Sequence, residues 1–320
     1  MLTRRAAALA SLATLATPAF AQSFPDRPLR MIVGYPAGGA NDLVARAVAQ
    51  PLGEALGQNI VVENRTGAAG AIGAEAAARA PADGHTLYMM SSAQVLATAL
   101  RRNLPYDPVR DFAPIALAAR GPYLLIVHPS VAASTLAEFV ALARTRPGRM
   151  GYASSGIGAG PHLTSALFFS MAGIELNHVP YRGDADILPD LLAGRIEASF
   201  ISLAPTMAHV QGGQLRALAI SGAERSPMLA QVPTVAESGY PGFEMDAWWG
   251  LVAPAATPPA IIARIEQAAL PIIRSPAFAA RFASQGIVPG RLGAADFTRL
   301  IASDRTRFEE IVRRAGIESQ

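Results

Sequence analysis

One local pattern recurs along this chain and constrains its fold more than any other feature: an apolar strand, a loop of glycine and other small residues, then a helix. The first instance runs from Leu29. "LRMIVGY" is a buried-strand run, and the six residues Pro36 to Asn41 carry little side chain. Leu43, Val44, Ala47, Val48 and Leu52 then recur at helical spacing, with Pro51 expected to kink that helix. "NIVVENRTGAAGAIG", "HTLYMMSSAQ", "MGYASSGIGAGPHL" and "LNHVPYRGDAD" repeat the unit. Strands alternating with helices imply an α/β fold with parallel sheets and right-handed crossovers. Two extended runs stand apart from the pattern, and we read them as crossings between two similar lobes, near Tyr123–His128 and Glu244–Val252. Lobe 1 is then 22–123 with 247–320, and lobe 2 is 124–246.

The first 21 residues read as an export signal. Arg4 and Arg5 precede an apolar alanine and leucine run too short to span a bilayer, and "PAFA" offers a small-residue cleavage site after Ala21. The arginine pair fits either a general secretory or a twin-arginine signal. Cleavage leaves 299 of the 320 residues, a length suited to two domains. The mature chain is expected in the periplasm, as a monomer, without a membrane anchor.

Composition removes several function classes. Without the two signal arginines, 25 basic residues face 24 acids and form no basic block, so nucleic acid is a poor partner. Every basic residue is arginine, which excludes a lysine Schiff base and a P-loop lysine. Cysteine is absent, so no disulfide, thiolate ligand or cysteine nucleophile is available. No two of the five histidines stand four residues apart, and no HExxH or GxSxG occurs. No metal, no cofactor and no catalytic residue is expected. The rival reading is an exported hydrolase whose triad is assembled from distant parts of the chain.

The glycine loops suggest their own chemistry. A helix start carries free N–H groups and a partial positive charge, so several starts meeting at one cleft bind an anion without a formal cation. A helix end contributes roughly 0.3–2 kcal/mol to an anion, and a hydrogen bond to a charged group roughly 1.5–3 kcal/mol. Four to six such contacts reach the roughly 8 kcal/mol of micromolar binding. Any one loop is explained by chain connection alone; five in one exported chain point to a shared role. Ser91 and Ser92 open the third, weaker unit. Asp42 is expected to cap its helix and pair with Arg46 one turn on, a structural role. His162 either donates to a ligand or braces its loop. Arg182 either clamps a carboxylate or faces solvent. Of the adjacent Trp248 and Trp249, strand alternation lets only one face a cleft, and Trp248 is assigned to it.

"YPAGGANDLVAR", "VVENRTGAAGAIG", "PADGHTLYMMSS", "LPYDPVRDFAPIA", "YASSGIGAGPHL", "HVPYRG" and "WWGLVAPAATP", in this order, resemble the Bug family, the substrate-binding receptors of tripartite tricarboxylate transporters. The resemblance covers essentially the whole mature chain. It implies a two-lobed periplasmic-binding-protein fold of type II, a Venus flytrap with two crossing strands that closes on its ligand. It implies a small organic-acid ligand, with one carboxylate held by backbone groups and bridging waters of the first lobe. Its partners would be membrane transporter subunits or, alternatively, a sensor protein. By this resemblance the first-lobe loops are Tyr35, Pro36, Ala37, Gly38 and Gly39 with Gly67, Ala68, Ala69 and Gly70. Ser154, Ser155, Gly156, His162, Tyr181 and Gly183 match positions lining the second lobe. The chain departs from the family where "DADILPDLL" follows "VPYRG". Asp184 or Asp186 facing the cleft would favour a single carboxylate or a zwitterion; Asp186 as a helix cap would put Pro189 in the first turn.

Overall fold

The computed structural model describes residues 24–181 and 184–314. The expected signal peptide therefore lies outside the described residues, as do Arg182 and Gly183 and the side chains of Ala69 and Asp184.

The opening strand–loop–helix units form as the sequence patterning predicts. β1 (Leu29–Val33) leads into α1 (Ala40–Leu56), which runs on through Pro51. β2 (Ile60–Asn64) leads into α2 (Ala71–Ala78), and β3 (Thr86–Ser91) leads directly into α3 (Ser92–Leu100). β1 pairs in parallel with both β2 and β3. β4 (Phe112–Val127) is the longest strand, 16 residues. The sequence pattern marks only its end, from Tyr123 to Val127, because "DFAPIALAAR" shows neither alternation nor a flanking glycine loop.

β4 links two sheets. Its first part, Phe112 to Pro122, pairs antiparallel with β9 (Asp246–Pro254), which in turn pairs with β3. From Tyr123 onward it pairs instead with β7 (Ala198–Ser202) and β8 (Arg216–Ile220). The second sheet continues in parallel through β5 (Gly151–Ser154) to β6 (Asn177–Pro180). Its helices are α4 (Leu136–Arg144), α5 (Gly160–Ala172), α6 (Asp184–Leu192) and α7 (Leu203–Gln211). α8 (Pro259–Ile273), α9 (Pro276–Phe282), the short β10 (Val288–Pro289) and α10 (Ala294–Arg314) return to the first lobe. The molecule is thus a two-lobed α/β protein. Among the described residues no helix is long and apolar enough to cross a membrane.

Among the described residues, three apolar cores hold this arrangement. One lies under α1, α8 and α9 and includes Val44, Val48, Leu52, Ile265 and Phe278. A second lies under α6 and α7 in the other lobe, with Ile187, Leu191 and Met207. The third runs without a break from lobe to lobe behind the crossings, from Tyr88 and Phe297 to Phe168 and Phe200. The hydrophobic effect therefore holds the two sheets together at the rear, leaving the front free to form a cleft.

Candidate ligand-binding cleft

The front of the molecule holds a cleft of about 910 Å³ between the lobes. Four helices begin at its wall, each next after a strand that ends there, α3 and α7 directly and α1 and α5 across a glycine loop. From the first lobe come Gly39–Asn41 of α1 and Ser91–Ala93 of α3; from the second come Ala159–Pro161 of α5 and Ser202, Leu203 and Pro205 at the start of α7. Ligands of open α/β sheets sit at this edge because the free N–H groups and positive dipole ends gather there. Arg101 is the only formal charge among the described wall residues. Two other hollows, of about 940 and 820 Å³, lie along β2 and beside α4, and neither gathers more than one helix start.

The first-lobe loop is braced by charge. Buried Asp42 sits in the first turn of α1 rather than at its N-cap, which is Gly39. Its carboxylate accepts from Gly38 N–H at 2.9 Å, from Arg46 Nε at 2.9 Å and from Asn64 Nδ2 at 2.9 Å. Burial works to raise its pKa, but these three donors outweigh it and hold the carboxyl below its usual range. Asn64 also donates to Tyr35 O, tying β2 to the loop. The Tyr35 hydroxyl accepts from Gln94 Nε2 at 3.0 Å, and burial pushes this phenol up.

The second-lobe loop is braced by neutral groups. Gly158 N–H donates to His162 Nδ1 at 3.0 Å, which requires that nitrogen to be unprotonated. Burial, and then the neighbouring His178, push the His162 pKa down to about 4. The two imidazoles stack at 4.2 Å, and His178 Nε2 lies 2.7 Å from Ser154 Oγ. That serine–histidine spacing matches a nucleophile with its base. Yet Ser154 is fully buried and its hydroxyl donates to Gly156 O, so the pair points into the loop. His162 likewise braces the loop and is not part of the wall.

Tyr35, Pro36, Gly38, Gly39, Ser91, Ser92, Ser155 and Gly156 line the cleft, whereas Ala37, Ser154 and Tyr181 do not. Tyr181 instead donates to Asp190 Oδ2 at 2.7 Å. Gly67 to Gly70 stand behind the wall. A Cβ on Gly34 would come within 2.9 Å of Gly70 O, so glycine serves here to let two loops pack backbone to backbone. Alternation at the tryptophans is as expected, but the face is reversed. Trp249 lines the cleft, while Trp248 is buried in the rear core with its Nε1 donating to Asp304 at 2.7 Å. A strand buried on both faces offers an indole two apolar homes, and the buried acceptor on α10 decides which tryptophan turns inward. Asp186 is not a cap: it lies exposed in the first turn of α6, away from the wall, and Pro189 falls mid-helix. No acid stands among the described wall residues.

Sequence reasoning missed Asn41, Arg101, Gly121–Tyr123, Ser202, Leu203, Pro205 and Gln285–Ile287. "FISLAP" did carry a signal: a strand ending at serine with proline just inside the next helix. Gln285–Ile287 had none, since it reaches the cleft only because Gly286 packs against Leu203 of the opposite lobe.

The family model described as "Tripartite tricarboxylate transporter family receptor" matches residues 44–317. This chain belongs to that family. It is 36% identical to Protein BugT of Bordetella pertussis over 95% of its length and 94% of the relative's. Among solved structures, Rpa4515 of R. palustris, described with adipate, superposes with a TM-score of 0.79 at 34% identity, covering 92% of this chain and 99% of that one. MatC from Rhodopseudomonas palustris, described with bound malate, gives a TM-score of 0.75 at 29% identity, covering 90% and 100%. The whole-length coverage extends the receptor-family match across both lobes and the cleft between them.

Proposed function

We propose that this receptor captures a small organic acid in the interlobe cleft, in the periplasm, and passes it to membrane subunits of a tripartite transporter without chemical turnover. The observation that carries this reading is the convergence of four helix starts, two from each lobe, on a wall with no described carboxylate. Such a wall favours an anion and penalises an amine. The adipate and malate of the two relatives are ligands of this kind. The burial of Ser154 supports binding over hydrolysis. We place the hinge where β4 changes partners between Pro122 and Tyr123 and where the chain returns at Asp246, within a residue of the bounds 22–123 with 247–320 and 124–246, so that these two lobes close on each other.

The test is a thermal-shift and calorimetric screen of refolded, ligand-stripped mature chain against carboxylic acids, their neutral amides and esters. An acid at a hundred times its dissociation constant adds about 2.7 kcal/mol and raises the midpoint by a few degrees. One-to-one binding of an acid but not its amide is expected. Equal binding of acid and amide would remove the anion reading, and turnover of an ester would restore the hydrolase.

A further inference from the structure

Asn41 is the second residue of α1 and lies at the cleft wall. The residue is 5% exposed, yet neither Nδ2 nor Oδ1 has a hydrogen-bond partner among the described residues. Its neighbours are fully engaged. Asp42 holds three donors, and Asn64 gives to Tyr35 O and Asp42 Oδ1 while its Oδ1 accepts from Arg46. An unsatisfied amide is costly to bury, and an alanine here would avoid the cost without disturbing the helix. A partner supplied from the cleft accounts for its place at the wall.

The chemistry of that partner follows from what the amide needs. A carboxylate only accepts. It matches Nδ2 and the free helix N–H groups but leaves Oδ1 unpaired. An ammonium only donates. It would pair Oδ1, strand Nδ2 and set a cation against a helix start, with no acid among the described wall residues to balance it. A hydroxyl on the carbon next to a carboxylate places a donor beside an acceptor, the complement of a primary amide's oxygen and nitrogen. We propose that Asn41 is a specificity-determining residue, and that the ligand is a 2-hydroxy carboxylate whose carboxylate accepts from Nδ2 and whose hydroxyl donates to Oδ1. This rests on the organic-acid reading and narrows it.

The test is calorimetry with matched pairs: malate and succinate, 2-hydroxybutyrate and butyrate, mandelate and phenylacetate. A site built around a hydroxyl rejects the analogue lacking it, so the parent should prefer the hydroxy acid of at least one pair by about tenfold or more. Asn41→Ala should erase that preference: both acids lose the Nδ2 bond to their carboxylate, but the hydroxy acid also loses its bond to Oδ1 and so weakens by about tenfold more than the plain acid. It should also unfold at the same temperature as the parent or higher, because it removes an unpaired buried amide; a purely structural asparagine would lower it. Asn41→Leu, close in volume, checks that a lost contact rather than a cavity is being read. Equal affinity for both members of every pair, as a bridging water would give, overturns the proposal. So does a preference that survives in Asn41→Ala. Binding of no acid at all would overturn the organic-acid reading itself, and this one with it.

Discussion

The two loops that face each other across the cleft solve one problem in two ways. Pro36–Asn41 and Gly156–Pro161 each follow a strand, expose backbone and start a helix. The first is held by a carboxylate with three donors, the second by an imidazole that must stay neutral to accept from Gly158. Equivalent backbone presentation therefore comes with different electrostatics. Asp42, its pKa lowered, keeps its charge until the pH falls below the ordinary carboxylate range. His162, pushed down to about 4, costs folding stability from its ordinary 6.5 downward, well before that. The two lobes should differ in acid tolerance although their glycine loops look alike.

The largest effect tests that difference directly. His162 has an ordinary pKa of 6.5 when unfolded and about 4 when folded. Between these values the unfolded chain binds the extra proton, so stability falls as pH drops from 6.5 toward 4 and this group takes no more below that. A shift of this size corresponds to about 3 kcal/mol. Asp246, half-buried at the return crossing with its carboxyl desolvated and pushed up to about 6, acts with the opposite sign, since its folded form holds the proton longer. Comparison with a variant cancels that contribution. His162→Asn should lose some stability at pH 7, because the stack on His178 goes, but its urea-unfolding free energy should be flatter than the parent's between pH 7 and 4.5. Parallel pH curves for the two proteins would show that His162 does not carry the second lobe's acid sensitivity.

Breaking the other brace comes next. Asp42→Ala leaves Gly38 N–H, Arg46 and one donor of Asn64 without their acceptor, a loss of about 2 kcal/mol from hydrogen bonds to a charged group. Ligand affinity should fall as well, by about tenfold, because the α1 start is no longer held in place. This loss should be the same at pH 7 and pH 5, since Asp42 stays ionised across that range. A pH-dependent loss would mean that the first loop is not held by charge alone.

This contrast also marks what was legible in the sequence. Repeats of strand, glycine loop and helix gave away the α/β architecture, and the Asp42–Arg46 pair could be read from a spacing of four. His162 bracing Gly158 is just as local, but a histidine in a first helical turn serves either as a donor to ligand or as an acceptor from its own loop, and only the ring's burial separates the two. Trp248 and Trp249 were ambiguous for a different reason. Alternation says that they face opposite ways, but the choice of face depends on Asp304, 56 residues further on. The start of α7 and the Gln285–Ile287 segment belong to the cleft through contacts between lobes, and spacing within one segment carries no trace of such contacts.

The smallest expected effect separates the two helix starts by steric room alone. Gly39 and Gly160 both stand where a loop becomes a helix. A Cβ on Gly39 would meet nothing closer than Pro36 O at 3.6 Å, ordinary contact, and its φ of −76° suits any residue. A Cβ on Gly160 would fall 2.0 Å from Tyr123 Oη, so the tyrosine would have to shift. Gly39→Ala should leave the urea midpoint within about 0.5 kcal/mol of the parent. Gly160→Ala should lose about 1 kcal/mol, the overpacking cost less the gain in helix propensity. Because Tyr123 lines the cleft beside the point where β4 passes between sheets, displacing it should also weaken ligand binding more than Gly39→Ala does. Equal penalties for the two alanines would mean that Tyr123 moves freely, and the second loop's position would then owe more to the His162–Gly158 bond than to packing against the crossing strand.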